Sequence, residues 1–245
     1  MLVCNWQIQG LAGHQLAFRA RYRQRDSLPA IRPRHVTPGG LQLTRTKVKD
    51  WLEALCDESG SCPNLGSNDG TLLLNNQSSD YRDFRPSLQL ATRMLKGRGL
   101  FPEGPHNEAL YWFGKLDPGM QVAPPVKSNH LFPSGYIVMK GSDSWALLRF
   151  PNYSFRPSHN DAFHFDLRTR GSNLLFDAGS YSYNPEIEST IPDLKSVHAH
   201  NTLSFDGREQ MPRLGRFMLG KWLKPLSTGR LQEGPGDSGS WEGAY

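Results

Sequence analysis

The sequence predicts an α+β chain in two parts, helices first and an antiparallel sheet after them. Three observations carry that reading. Apolar residues recur at helical spacing between 44 and 116, a Pro-rich unpatterned stretch fills 117–134, and from 135 onward the period becomes that of strands punctuated by Gly, Asn and Pro. The expected organisation is a basic irregular leader over 1–43, a helical part over 44–116, a linker over 117–134 and a sheet domain over 135–245.

The leader is the source of the chain's basic character. Residues 1–49 hold nine Arg/Lys against the single acid Asp26, while everything from Asp50 onward sums to −3 although the whole chain carries +5. A basic surface spread over the fold is therefore excluded, and with thin aromatic interleaving and no recognition motif the chain is not read as a nucleic-acid binder. No apolar run approaches the ~18 residues a membrane span needs, and no signal-peptide pattern opens the chain. Cys4, Cys56 and Cys62 have neither metal-type spacing nor an even count, so no disulfide framework is expected.

In the helical part, Val48, Trp51, Leu52, Leu55 and Cys56 of "TKVKDWLEALCDE" share one face. The Gly/Asn-rich loop "GSCPNLGSNDG" follows; it neither follows a strand nor carries a Lys, so it reads as a turn lining a cleft rather than a phosphate cradle. "DYRDFRPSLQLATRMLKGRG" predicts a second helix, with Pro86 in its first turn and Gly97 past its end, and "NEALYWFGKL" a short third. In the sheet part, "GYIVMK", "SWALLRF", "AFHFDLR", "NLLFD", "NTLSFDG" and "RFMLGKWL" predict strands. The patch "GPGDSGSWEG" reads as low complexity without a closing strand, and Trp112, Trp145 and Trp222 are assigned to core.

The polar residues of "RPSHNDAFHFDLRTRGSNLLFDAGSYSYN" and "HNTLSFDG" are the functional signal. Alternation in "AFHFD" places His164 and Asp166 together on one face, which reads as the wet side of a sheet. His159 and Asp161 precede that strand, Asp177 ends the next one, and His200 opens "HNTLSF". These ends either carry ordinary loop polar groups or converge as two imidazoles and a carboxylate, a zinc-type donor set.

The same residues carry a resemblance. "SHNDAFHFDL", "LLFDAGSYSYN" and "HNTLSFDG" resemble the C-terminal sheet domain of the heparinase II/III-like family of polysaccharide lyases, and "PNLGSNDG…DYRDFRPSLQLA" resembles the end of that family's helical domain. The resemblance covers roughly 50–225. It implies the end of an α/α toroid followed by a β-sandwich, in a chain truncated at both ends, and a periplasmic or cell-envelope setting. It implies a mainly structural zinc held by His159, Asp177 and His200. The implied chemistry is β-elimination at a uronic acid of an acidic polysaccharide, with Tyr81 and Arg85 at the positions of the catalytic Tyr and its following Arg.

That chemistry has definite needs. The C5 proton of a uronate is barely acidic, so an enzyme must neutralise the neighbouring carboxylate, remove the proton and protonate the departing O4. A tyrosine can move that proton when cations lower its pKa from about 10, and at helical spacing Arg85 would share the face of Tyr81. Asn68 in the glycine-rich turn and Tyr181 in "GSYSYN", with Tyr183 beside it, are the candidate substrate-binding residues, the tyrosines by stacking on sugar rings. Two departures from the family pattern stand out. Pro157 occupies the place two residues before the metal histidine where several lyases carry a catalytic His, and the carboxylate-neutralising Asn or His has no assigned counterpart, Asn5, His14 and His35 lacking its context. A non-catalytic glycan-binding protein on the same scaffold and a metal-dependent glycan hydrolase are therefore the alternatives.

Overall fold

The computed structural model describes residues 38–68, 70, 77–123, 129–182, 193–233 and 239–244. The leader up to residue 37, including Asn5, His14 and His35, and also Tyr183, lie outside the described residues. The chain divides into two compact units, one of Met1–Glu53 with Leu72–Pro125 and one of Ala54–Thr71 with Val126–Tyr245.

The first unit is helical. Helix α1 spans Pro38–Leu55, so it starts before the expected Thr46; its opening Pro-Gly-Gly hides the start from propensity, although proline is at home in a first helical turn. Helix α2 spans Arg85–Lys96, with Pro86 near its start, where no N–H is required. Gly97 closes it at φ 70, and its N–H returns to the Arg93 carbonyl. A 3-10 turn over Pro105–Asn107 leads into α3, Glu108–Trp112. Leu90 of α2 packs with Ala109 and Leu110 of α3, flanked by Met94, Phe113 and Met120. The buried Gln89 binds the intervening loop with all of its amide: Oε1 accepts from Leu100 N and Phe101 N, while Nε2 donates to Phe101 O and Asn107 Oδ1.

The second unit is built on a five-stranded antiparallel sheet in chain order: β1 His130–Phe132, β2 Tyr136–Lys140, β3 Ser144–Arg149, β4 Phe165–Thr169 and β5 Ser172–Leu175. A two-residue turn joins β4 to β5, with positive φ at Arg170 and Gly171 as the twist of a tight hairpin demands. Two further hairpins follow, β6 Arg213–Gly215 with β7 Met218–Leu219, and β8 Ser227–Glu233 with β9 Gly239–Ala244. The last of these overturns the reading of "GPGDSGSWEG" as a patch without a closing strand. "NTLSFDG" forms no strand, only an isolated bridge between Phe205 and Arg208, and "RFMLGKWL" contributes β7 and the turn before it rather than one long strand. Of the three tryptophans assigned to core, Trp145 is buried, whereas Trp112 and Trp222 are exposed.

Why Ala54–Thr71 groups with the sheet is visible in one cross-strand row. Lys140, Trp145 and Arg168 are successive register partners across β2, β3 and β4, so their side chains share a face. Lys140 Nζ donates to Cys56 O, Trp145 Nε1 to Ala54 O, and Arg168 to both Ser61 O and Asp57 Oδ2, while the Arg168 guanidinium lies 5.5 Å from the Trp145 ring centre. The segment is thereby strapped over the sheet, on the face that also carries Leu147 and Asp166 two residues along β3 and β4. Ile137, Val138, Leu147, Ala162 and Met211 are among the buried apolar side chains of this unit. Among the described residues no helix is long and apolar enough to cross a membrane.

Candidate metal centre

The long connection between β3 and β4 delivers His159. Asp177 follows β5, and His200 follows a 3-10 turn over Val197–Ala199 rather than opening a strand. Each placement has a local cause. Gly179 N donates to Asp177 Oδ1 at 2.7 Å, a side-chain-closed turn that fixes the carboxylate. Gly179 sits at φ 71, and a Cβ there would lie 2.0 Å from Asn64 Nδ2, so glycine is required where the strap meets this turn. Glu209 ties the two histidine loops together. Its carboxylate accepts from Asn160 Nδ2, next to His159, and from Ser196 Oγ and Val197 N at the turn before His200.

The three side chains converge. One ligand atom from each of His159, Asp177 and His200 lies within 4.8 Å of the others. His200 Nδ1 stands 3.4 Å from Asp177 Oδ2, and the two imidazole centres are 5.2 Å apart. Relative exposures are 0%, 3% and 9% in the same residue order, so water does not reach the cluster freely. His159 Nε2 pairs with Ser180 Oγ at 3.0 Å, and Ser180 Oγ in turn donates to Gly66 O of the strap. Yet among the described residues His159 Nδ1, Asp177 Oδ2 and both nitrogens of His200 have no hydrogen-bond partner. Buried polar atoms are nearly always satisfied. Two imidazoles and a carboxylate with orphaned lone pairs facing one another fit a divalent cation, zinc by donor type.

The electrostatics point the same way. Burial depresses the His159 pKa to about 3 against the opposing pull of Asp177, and likewise takes His164 down to about 4. Burial also works to raise Asp177, but His200, His164 and the Gly179 N–H outweigh it and hold the carboxyl below its ordinary value. These shifts favour a neutral His159 imidazole and an ionised Asp177 carboxylate, the protonation state in which such groups bind a metal. Behind it lies a buried ion pair, Arg149 Nη1 to Asp161 Oδ2 at 2.5 Å, with Tyr153 OH donating to the other Asp161 oxygen. Burial pushes Asp161 up and Arg149 pulls it back, a balance that leaves this carboxyl above its ordinary range.

The structure corrects the reading of "AFHFD" as a half-wet strand. Phe163 has φ 63 and β4 begins only at Phe165; His164 and Asp166 are fully buried. Their face is covered, and burial raises the Asp166 pKa to about 6. His164 stands beside the trio, its Nε2 3.8 Å from Asp177 Oδ2, a neighbour that alternation disguised. Ser180, Asn160 and Glu209 were equally hidden, because nothing in their spacing announces long-range contacts.

The remaining candidates sit as follows. Tyr81, half-buried, lies in a turn ahead of α2, so the helical spacing expected to put Arg85 on its face does not apply. Arg85 opens α2 and grips Asp83 with two bonds, Nε to Oδ1 at 2.9 Å and Nη2 to Oδ2 at 2.8 Å. Both belong to the helical unit. In the sheet unit, Asn68 closes a turn, accepting from Gly70 N and donating to Asn64 Oδ1. Tyr181 takes a left-handed φ of 53 and is 69% exposed, its ring free of the core.

Comparison with known proteins adds the following. A family model described as heparinase II/III-like, C-terminal, matches residues 123–245. A solved heparinase III gene product superposes with a TM-score of 0.55 at 18% identity, covering 81% of this chain and 28% of that one. Heparan sulfate lyase HepC from Pedobacter heparinus gives 0.51 at 17% identity, over 80% of this chain and 27% of its own. At such identity the likeness is one of fold, and the chain spans under a third of the length of these proteins. No curated protein sequence matches it.

Proposed function

The chain belongs to the heparinase II/III-like family, and from that membership we propose that it is part of a polysaccharide lyase acting by β-elimination on an acidic, uronate-containing polysaccharide of the cell envelope or periplasm. The observation that carries the reading is the buried His159–Asp177–His200 cluster, set in a sheet unit that the family model spans. In this reading the helices are the end of an α/α toroid and the sheets are part of a β-sandwich. His159, Asp177 and His200 would hold zinc. Bound there, zinc would cross-link three loops rather than meet substrate, since the cluster is all but closed to solvent. Tyr81 transfers the proton, and Arg85 supplies positive charge from its place on Asp83. Tyr181 offers an exposed ring for stacking on a sugar, held in a strained backbone of the kind that gathers at binding sites, and Asn68 shapes the turn beside the strap.

Elimination leaves a C4–C5 double bond that absorbs in the ultraviolet. The test is a panel of uronate polymers, among them heparan sulfate, chondroitin sulfate, hyaluronan and alginate, incubated with the zinc-loaded full-length gene product. Growth of that absorbance on at least one polymer supports the reading, and its absence on all of them sinks it.

One observation favours a second reading, a glycan-binding protein without catalysis. Pro157 is buried and has no proton to give, at the place of a family acid/base histidine. Retention on an immobilised glycan without product, unchanged in Tyr81→Phe, would establish it. The burial of the trio speaks against direct metal-dependent hydrolysis, which would show itself as a saturated product lost on chelation.

A further inference from the structure

His164 is fully buried beside the trio, its ring 5.5 Å from that of His200 and nearly perpendicular to it. It contributes no atom to the converging set. Its Nδ1 accepts the Asn201 N–H at 3.2 Å. Asn201 is itself pinned, with Nδ2 donating to Phe165 O and Phe176 O, the residues flanking His164 and Asp177. A ring nitrogen that accepts carries no proton, so the single proton of the neutral imidazole sits on Nε2. That nitrogen faces Asp177 Oδ2 at 3.8 Å, where His200 Nδ1 also stands at 3.4 Å, and among the described residues neither His164 Nε2 nor Asp177 Oδ2 has a hydrogen-bond partner. Were Nε2 to bind a metal, the proton would have to move to Nδ1 and confront the Asn201 N–H, donor against donor.

We infer that His164 is a positioning residue for Asp177, donating from Nε2–H to Oδ2 so that the carboxylate keeps its remaining lone pair on that oxygen for the cation. The inference rests on the zinc reading above. Gly179 N occupies Oδ1, and the nearer His200 Nδ1, 3.4 Å from Oδ2, belongs to the converging set, so His164 is the neighbour outside that set left to orient Oδ2. A shift of under ~1 Å brings the pair to hydrogen-bond distance. Groups that orient a metal ligand in this way typically account for about 10–100-fold in metal affinity.

The test compares zinc affinity in the wild type, His164→Leu and His164→Gln by competition with a chromophoric chelator. X-ray absorption of the zinc-loaded wild type counts the bound imidazoles. Glutamine can place an N–H near the position of Nε2 and leucine cannot. The expected result is two imidazoles on zinc, affinity about 10–100-fold weaker in His164→Leu, and affinity within a few-fold of wild type in His164→Gln. Three imidazoles, unchanged affinity in His164→Leu, or equal loss in both variants overturns the inference. Should His164→Leu not fold, nitrogen-15 NMR of the loaded wild type decides: an Nε2–H tautomer at His164 supports the assignment and an Nδ1–H tautomer refutes it. A folded wild type that takes up no zinc removes the metal reading itself, a result visible without any variant.

Discussion

Chelation should lower the thermal midpoint of the sheet unit by roughly 8–16 °C, and the size follows from the orphaned atoms. A bound cation would take one lone pair from each of His159, Asp177 and His200, and the atoms without hydrogen-bond partners among the described residues are His159 Nδ1, Asp177 Oδ2 and the two His200 nitrogens. A buried polar atom left unsatisfied costs about 1–3 kcal/mol, so three lone pairs place the metal's contribution at ~3–9 kcal/mol. Mass action gives a compatible figure, about 4 kcal/mol when free metal stands at 1,000 times its Kd. At ~2–4 °C per kcal/mol for a domain of this size, 4 kcal/mol becomes the stated shift. The assay is differential scanning calorimetry of zinc-loaded chain with and without a chelator, beside Asp177→Asn. That variant keeps an oxygen for Gly179 N but replaces the charged donor, so it should melt like chelated wild type and ignore the chelator. Coincident wild-type melts with and without chelator would refute the reasoning and return the trio to ordinary buried polar groups.

Arg168→Met should loosen the strap at its 57–61 end, where Arg168 bonds both Asp57 and Ser61; the expected loss is about 2–4 kcal/mol, read from the urea midpoint, with new proteolytic cleavage in 54–71. No change in either would show that the strap is held elsewhere. In metal-free chain, acid should destabilise. His159 and His164 have folded pKa values of about 3 and 4, below the unfolded value near 6.5, so their contribution is full above pH 6.5 and is lost as pH falls through 4 towards 3. Asp166, raised to about 6, acts in the opposite sense between there and its unfolded value near 3.8, which softens the decline without reversing it. Denaturation midpoints measured from pH 7 to 4 check this, and stability rising on acidification would contradict it.

Much of the local structure was legible because local signals set it. Pro86 and Gly97 bracket α2 by conformational preferences that act within one turn, and the alternation in "GYIVMK" and "SWALLRF" reports β2 and β3 directly. What failed depended on distant chain. His164 and Asp166 look solvent-facing by alternation, but the strap from 54–71 and the histidine loops cover their face, and no local pattern encodes a covering segment so far away. The start of α1 at Pro38 and the strand β9 were masked by glycine, which lowers propensity without forbidding either structure once packing favours it. The apolar period of α2, extended backward past Asp83, puts Tyr81 on the helix, whereas Asp83 takes the Arg85 N–H in a turn. For His159, Asp177 and His200, spacing alone left two readings open. Their convergence is a product of three loop ends meeting, fixed by Glu209, Gly179 and Ser180.

The most direct test of the proposed lyase is the rate of C4–C5 unsaturated product formation by zinc-loaded wild type and Tyr81→Phe on the best polymer of the panel, with zinc content measured in both. The account predicts product from the wild type and a fall of about 100-fold or more in the variant at equal zinc, the loss expected for a proton-transfer group. Equal rates in the two proteins, or a product carrying an added water in place of the double bond, would contradict it.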